Sequence, residues 1–256
     1  MEHSGVYRYK RILDQFTEEH SVWTVAALAA ELGVASSTLY RQVRELVAVG
    51  FLEGTVDSQY RLGPAFVEFE RRARRTDPLI LAGNAFLAPL VKRMGFKCSA
   101  LLARLYGNAV MCVADVHSPQ MPLKSSFERG LAAALVRSAT ARAALSSMES
   151  RRLKRLLANQ TGLEGEALRK FLSELFLSRR QGFWIAEGEV DPGAVAIAVP
   201  IRDRKLGIEA SLSIFARIED LPPEDRPRVV QQLSATAAEI ERFLAEKSAA
   251  AKPAEA

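Results

Sequence analysis

The chain is poor in the residues from which many functional sites are built. Only two of its 256 residues are cysteines and three are histidines. Two thiols, Cys98 and Cys112, are too few for a disulfide scaffold and fit a reducing cytoplasm. Both lie in apolar, strand-like stretches and read as small buried thiols, with a cross-strand redox pair as the sharper alternative. His3, His20 and His117 have no Cys or His neighbour at ligand spacing, so no metal site and no cofactor are implied. No apolar run reaches the roughly 18 residues of a membrane helix. The stretch Met1 to Lys10 lacks the apolar centre of a secretory signal. A soluble, cytoplasmic protein with no membrane partner is expected. Gly-rich phosphate loops and a Gly-x-Ser-x-Gly elbow are also missing. The acid pair Glu187 and Glu189 is the best enzymatic candidate. It sits in a loop with no His partner and no nucleophile motif, so an enzyme is not expected.

What is present is globular in kind. The chain is 48% hydrophobic and 25% charged, with a mean hydropathy of -0.01. Its length suits two modest domains or one large one. The net charge of +5 invites a nucleic-acid reading. Yet residues 1–76 hold 10 basic and 10 acidic residues, and the excess lies wholly in 77–256. A DNA-binding claim must therefore rest on where the charges lie.

Periodicity predicts helices in the first segment. Ile12, Leu13 and Phe16 share a face. Thr24 is a candidate N-cap for a helix with Val25, Leu28 and Leu32 inward, ended by Gly33. Ser36 is the candidate cap of the next helix, whose buried stripe is Leu39, Val43, Leu46 and Val47. Gly50 ends it. Strands at Phe51–Thr55 and Gln59–Leu62, with Asp57-Ser58 as a turn, complete the layout of a winged helix-turn-helix. The stripe leaves Ser37, Tyr40, Arg41 and Arg44 outward. Ser36, Ser37 and Thr38 lie where a helix N-terminus can meet a phosphate. Arg41 and Arg44 can reach guanine or phosphate in the major groove, and Tyr40 a phosphate or a thymine methyl. In the wing, Gln59, Tyr60 and Arg61 are candidate backbone or minor-groove contacts, with Tyr60 equally placed to be wing core. The cluster Arg71, Arg72, Arg74 and Arg75 reads as a solvated helix face paired with Glu68 and Glu70, or as a contact to DNA flanks.

Residues 64–76 read as a helical connector broken by Asp77-Pro78, and Leu79–Met94 as another helix. Beyond it, strands are expected near Cys98–Leu105, Val110–Val116, Leu123–Phe127, Phe183–Ile185, Val195–Ile201 and Ile208–Phe215. Helices are expected near Ala133–Met148, Arg151–Ala158, Glu164–Arg180 and Pro223–Glu246. The order is not a regular βαβ alternation, so an α+β domain on a mostly antiparallel sheet is expected. Residues 248–256 read as a flexible tail.

The stretch from Ala30 to Val43, with Gly50-Phe-Leu-Glu53 and Tyr60-Arg-Leu-Gly-Pro64, resembles the DNA-binding domain of the IclR family of bacterial transcription regulators. Ser138-Ala-Thr-Ala-Arg-Ala143, Arg180-Gln-Gly-Phe183, Pro192-Gly193, Ala198-Val-Pro-Ile201 and Ala210-Ser-Leu-Ser-Ile214 resemble its C-terminal half. The similarity spans roughly residues 8–246. It implies a winged helix-turn-helix over 6–68, a linker helix over 69–78 and a GAF-like effector-binding and oligomerisation domain over 79–247. It also implies a homodimer or homotetramer on a palindromic double-stranded operator near a metabolic operon, responsive to a small organic or aromatic acid.

The chain departs from the family at its effector pocket. Ala186 stands at an acidic position, with Glu187 and Glu189 adjacent. Ala196 replaces a Cys, Ser213 keeps one Ser and Phe215 replaces another. The pocket then either takes a larger aromatic or hydrophobic acid, or is filled by its own side chains so that the domain serves only oligomerisation. Arg129, beside Gly130 in a region that borders the family's pocket, and Arg104 can pair with a carboxylate effector or with surface acids.

Overall fold

A computed structural model describes residues 5–119, 128–136, 138–160 and 162–250. It separates into two compact units, the first ending at Arg75 and the second beginning at Thr76. The first contains α1 (Gly5–Leu13), β1 (Trp23–Thr24), α2 (Val25–Leu32), α3 (Ser36–Ala48), β2 (Leu52–Gly54), β3 (Gln59–Leu62) and α4 (Ala65–Thr76). Ile12, Phe16, Leu28, Leu39, Val43, Leu46 and Leu52 form its core. Thr24 caps α2 by accepting from the Ala27 amide, and Gly33 closes it at φ 65°. Both match their sequence signals.

Three details of this unit differ from expectation. Ala35, not Ser36, is the N-cap of α3, and no side chain caps it. Val47 is 37% exposed, and Gln42 takes the inward place beside Leu39, Val43 and Leu46. The i+8 spacing carries Val47 past the edge of the buried stripe. The two-residue strand β1 was not legible. It pairs antiparallel with β3, setting Trp23 opposite Tyr60, so the sheet order is β1-β3-β2. So short a strand carries no alternation to read. The Asp57-Ser58 turn is as expected, with both residues at positive φ.

In the second unit, α5 (Pro78–Met94) begins at Asp77. The Asp77 Oδ1 accepts from the Leu79 and Ile80 amides at 2.9 and 3.1 Å. Its Oδ2 meets Arg104 Nη1 at 2.9 Å. Asp77-Pro78 therefore ends one helix and starts the next, with Pro at the first helical position where its missing N–H costs nothing. The remaining elements are β4 (Ser99–Tyr106), β5 (Ala109–His117), β6 (Ala132–Ala134), α6 (Ala139–Ser146), α7 (Ser150–Gln160), α8 (Gly165–Gln181), β7 (Trp184–Glu187), β8 (Ala194–Asp203), β9 (Ile208–Arg217) and α9 (Arg226–Ala250). The sheet order is β6-β5-β4-β9-β8-β7 with every pairing antiparallel, as the α+β reading expected.

Alternation along the strands sorts the side chains into two cores. Ala100, Leu102, Val195, Ile197, Val199, Ile201, Ala210, Leu212 and Ile214 pack with α5 and α9. Leu101, Ala103, Cys112, Ala194 and Phe215 pack with α6, α7 and α8. The result is helix–sheet–helix layering. The expected helix over Ala133–Met148 is corrected here. Ala132–Ala134 instead adds an edge strand to β5, and α6 starts only after Ser138. Alanine is the strongest helix former, but intrinsic propensity yields to tertiary strand pairing. The last helix runs on to Ala250, and Pro223–Asp225 forms a separate short turn. The expected strand at Leu123–Phe127, His3 and residues 251–256 lie outside the described residues.

Cys98 and Cys112 belong to opposite cores. Register places Cys112 opposite Ala103, five strand positions from Cys98 or about 17 Å. A disulfide needs Cα atoms within about 7 Å, so the redox pair is ruled out and the buried-thiol reading stands. Burial pushes the two thiols up from 9.0 to about 11 and about 12. The folded state thus holds protons that the unfolded chain releases above pH 9, so stability should fall as pH rises through that window. At pH 8 both thiols should react with a disulfide reagent only as fast as the protein opens. A close approach of α5 to β5 supplies a second test. A Cβ on Gly83 would lie 2.5 Å from the Ala114 Cβ. Gly83→Ala should cost about 1–3 kcal/mol of stability in denaturant titration.

Candidate DNA-binding face and effector cavity

The outer face of α3 carries Ser36, Ser37, Thr38, Tyr40, Arg41 and Arg44, all exposed. Because no side chain caps α3, its first-turn amides depend on the backbone. The Thr38 and Leu39 amides donate to Ala35 O at 3.0 and 3.1 Å. Those of Ser36 and Ser37 have no protein acceptor among the described residues, leaving orphan donors at the positive end of the helix. Arg41 and Arg44 form no ion pair among the described residues. Other arginines of the same unit do: Arg61 with Glu53 at 2.6 Å, Arg72 with Glu68, and Arg74 with Glu70 at 3.8 Å. The connector cluster thus follows its solvated, paired reading at Arg72 and Arg74. In the wing, Tyr60 is half-buried against the core, and Arg61 sits directly opposite its partner Glu53 on β2. Gln59 is half-buried beside it on β3.

The second unit holds a cavity between the sheet and the start of α6. Register explains its walls. Ala186, Ala196 and Phe215 stand in one row across β7, β8 and β9. Ala198, Ser213 and Leu101 form the next row, across β8, β9 and β4. Of the six residues suggested for effector binding, Ala186, Ala196, Ser213 and Phe215 line this cavity. Arg129 and Gly130 do not. The Arg129 Nε donates to Val113 O and the Gly130 amide to Cys112 O, both at 2.9 Å, which ties them to β5. Arg104 is held by Asp77.

The free space in the cavity is small. The volume open to the centre of a water molecule is about 30 Å³, where one water needs roughly 10–15 Å³. Phe215 stands at the end of its row, with Ala196 beside it and Ala186 beyond, so its ring takes space that the alanines release. Ser213 is spent internally, its hydroxyl 3.0 Å from that of Thr140. Ser211 donates to Thr140 O at 2.9 Å. The remaining wall is the β7–β8 loop, where Gly188, Glu189, Val190 and Asp191 face the cavity. Two arginines hold that loop: Arg142 meets Glu189 at 2.5 Å and Arg226 meets Glu187 at 2.6 Å. Neither had a role in the sequence reading, although Arg142 sits inside the Ser138–Ala143 motif.

One arrangement was missed altogether. The Ser99 Oγ lies 2.7 Å from His117 Nδ1, and His117 Nε2 lies 3.0 Å from Asp115 Oδ2. Ser99 and His117 are cross-strand partners, and Asp115 is two residues along on the same face of β5. This has the members of a nucleophilic triad, but Ser99 is 0% exposed. A hydroxyl so buried has no access to a substrate carbonyl.

The described residues contain no cluster of His, Cys, Asp and Glu fit to hold a metal. None of their helices is long and apolar enough to cross a membrane.

Comparison with known families is decisive. The bacterial transcriptional regulator IclR C-terminal family matches residues 78–242, and the IclR helix-turn-helix domain matches residues 6–55. The chain belongs to the IclR family of transcriptional regulators. Among solved structures, an IclR regulator from Alicyclobacillus acidocaldarius is 22% identical, with a TM-score of 0.76 over 93% of this chain and 97% of that one. An IclR homologue from Microbacterium hydrocarbonoxydans, solved with 4-hydroxybenzoate, is also 22% identical, with a TM-score of 0.76 over 95% and 100%. No curated protein sequence matches. As in other IclR regulators, the first unit is a helix-turn-helix domain and the second an effector domain.

The row Ala186–Ala196–Phe215 gives a test of cavity filling. Phe215→Ala should cost about 3–5 kcal/mol in chemical denaturation. It should also open space that binds small apolar solutes, detectable as a thermal shift absent from the unaltered protein.

Proposed function

We propose that this IclR regulator binds a palindromic operator as a homo-oligomer and represses or activates a metabolic operon. In this reading α3 enters the major groove. Ser36, Ser37 and Thr38 meet phosphate at the helix start, Tyr40 meets phosphate or a thymine methyl, and Arg41 and Arg44 read bases. Gln59, Tyr60 and Arg61 place the wing beside the adjacent minor groove. The observation that carries this is that Arg41 and Arg44 stand exposed together on the outer face of α3, beyond its uncapped start, without the glutamate partners that Arg61, Arg72 and Arg74 possess. An arginine without an internal counter-charge is ready for an external one, and nothing need be broken when DNA arrives.

The same reading makes the second unit the receiver of a small organic or aromatic acid, as the 4-hydroxybenzoate complex of the Microbacterium relative supports. The small free volume of the cavity favours a second reading, in which Phe215 and its neighbours fill the site and the domain serves only oligomerisation. A thermal-shift screen of aromatic acids separates the two. A bound acid at a hundred times its dissociation constant should stabilise by about 2.7 kcal/mol.

Fragments of the source genome selected by the protein would supply the operator. On them, replacing both Arg41 and Arg44 by Ala should weaken specific binding by roughly a hundredfold or more. The melting temperature should stay unchanged, since both side chains are exposed. Specific binding that survives this double change would refute the assignment of α3 as the reading helix. Affinity should also fall steeply with salt, and half-sites should lie one or more turns of about 34 Å apart.

A further inference from the structure

We propose that Arg142, which stands behind the cavity wall at Glu189, recognises a ligand carboxylate, and that Glu189 occupies it as an internal stand-in until that carboxylate replaces it. This rests on reading the second unit as an acid-responsive domain and names how that response is made.

The geometry that points there lies around the β7–β8 loop. Glu189 is at once a wall of the cavity and the ion-pair partner of Arg142. Their side chains are unequally placed, Arg142 at 14% exposure and Glu189 at 36%. The arginine is therefore committed to the interior while the glutamate stands half in solvent. Arg142 is also fixed in place, its guanidinium lying 4.6 Å from the Trp184 ring centre and 5.8 Å from that of Phe171. Its Nε is buried with no hydrogen-bond partner. A guanidinium is a planar fork suited to bidentate carboxylate binding. Here a single Nη1 contact to Glu189 serves it, and donor capacity is left over.

Energetics make an exchange the natural event. Removing the partner of a buried charge is costly, because the charge is left uncompensated. Arg142 can therefore release Glu189 only as another anion takes its place. Glu189 then turns into solvent at little cost. Gly188, at φ 63°, lies between the two latched glutamates and can absorb the loop's movement. The second pair, Arg226 with Glu187, anchors the base of the loop on α9. Since Glu189 also narrows the cavity, its departure widens the space over Leu101, Ala194, Ala196 and Phe215. The ligand class follows: a monocarboxylate with an apolar or aromatic body. A neutral analogue offers no replacement charge and leaves the latch closed.

The test uses the full chain with benzoate and phenylacetate as probes and their neutral amides as controls, read by calorimetry. Glu189→Gln keeps the shape and a hydrogen-bond acceptor but removes the competing charge. It should tighten binding of the acids about fivefold or more and leave the amides unchanged. Arg142→Gln should abolish the preference for acid over amide; if that variant does not fold, Glu189→Gln alone decides. Equal acid affinity in the unaltered protein and Glu189→Gln overturns the exchange while leaving an acid-responsive domain intact. An equal gain for the amides overturns it too, since the ring and not the charge is then recognised. No binding of either acid to either protein overturns the exchange and counts against the acid-responsive reading itself.

Discussion

Everything in the second unit depends on the register of β9 between β8 and β4. That pairing sends Ala210, Leu212 and Ile214 toward α5 and α9, and Ser211, Ser213 and Phe215 toward α6. A slip of one residue would exchange the two sets and place hydroxyls in the larger apolar core. The cost of that exchange fixes the register, and the register in turn builds the cavity floor. Ala186, Ala196 and Phe215 are far apart in sequence but fall in one row. The cavity is thus a by-product of a sheet whose main task is to bury its other face.

Charge in the protein is organised by partnership more than by sum. The net +5 resides beyond residue 76, yet arginines there are repeatedly matched to acids: Arg104 with Asp77, Arg152 with Glu209, Arg217 with Glu219 and Asp220, and Arg226 with Glu187. The first unit is neutral overall. Its two arginines on α3 have no such match and share one exposed face, and the same helix begins without a side-chain cap. Both features break a local rule of helix construction at one place, which is where a functional surface is expected to do so.

The two units use arginine in opposite ways. On α3 the guanidinium groups are exposed and unmatched, ready for an anion that is always external. Around the β7–β8 loop they are largely buried and matched to glutamates, so an incoming anion would have to compete with a glutamate already there. The first arrangement favours fast, salt-sensitive association. In the proposed exchange the second favours selectivity, because an entering ligand must replace the lost charge.

The sequence by itself determined the helices with clean 3.6-residue patterns, the caps at Thr24 and Gly33, the wing turn at Asp57-Ser58, and the outward set on α3. These are local, set within a turn or two of chain. It also placed Ala186, Ala196, Ser213 and Phe215 together, through family resemblance. It misplaced Ser36 as a cap and Val47 as core, and it started a helix at Ala133, where edge pairing with β5 outweighs local propensity. It did not show the strand β1, the Arg142–Glu189 and Arg226–Glu187 pairs, or the Ser99–His117–Asp115 chain. Each of the latter joins residues through strand register or packing between layers, and no local pattern records which distant side chain a buried arginine will meet. Only the tertiary structure decided that, since the partner is chosen by where the sheet and helices bring the charges once the cores have closed.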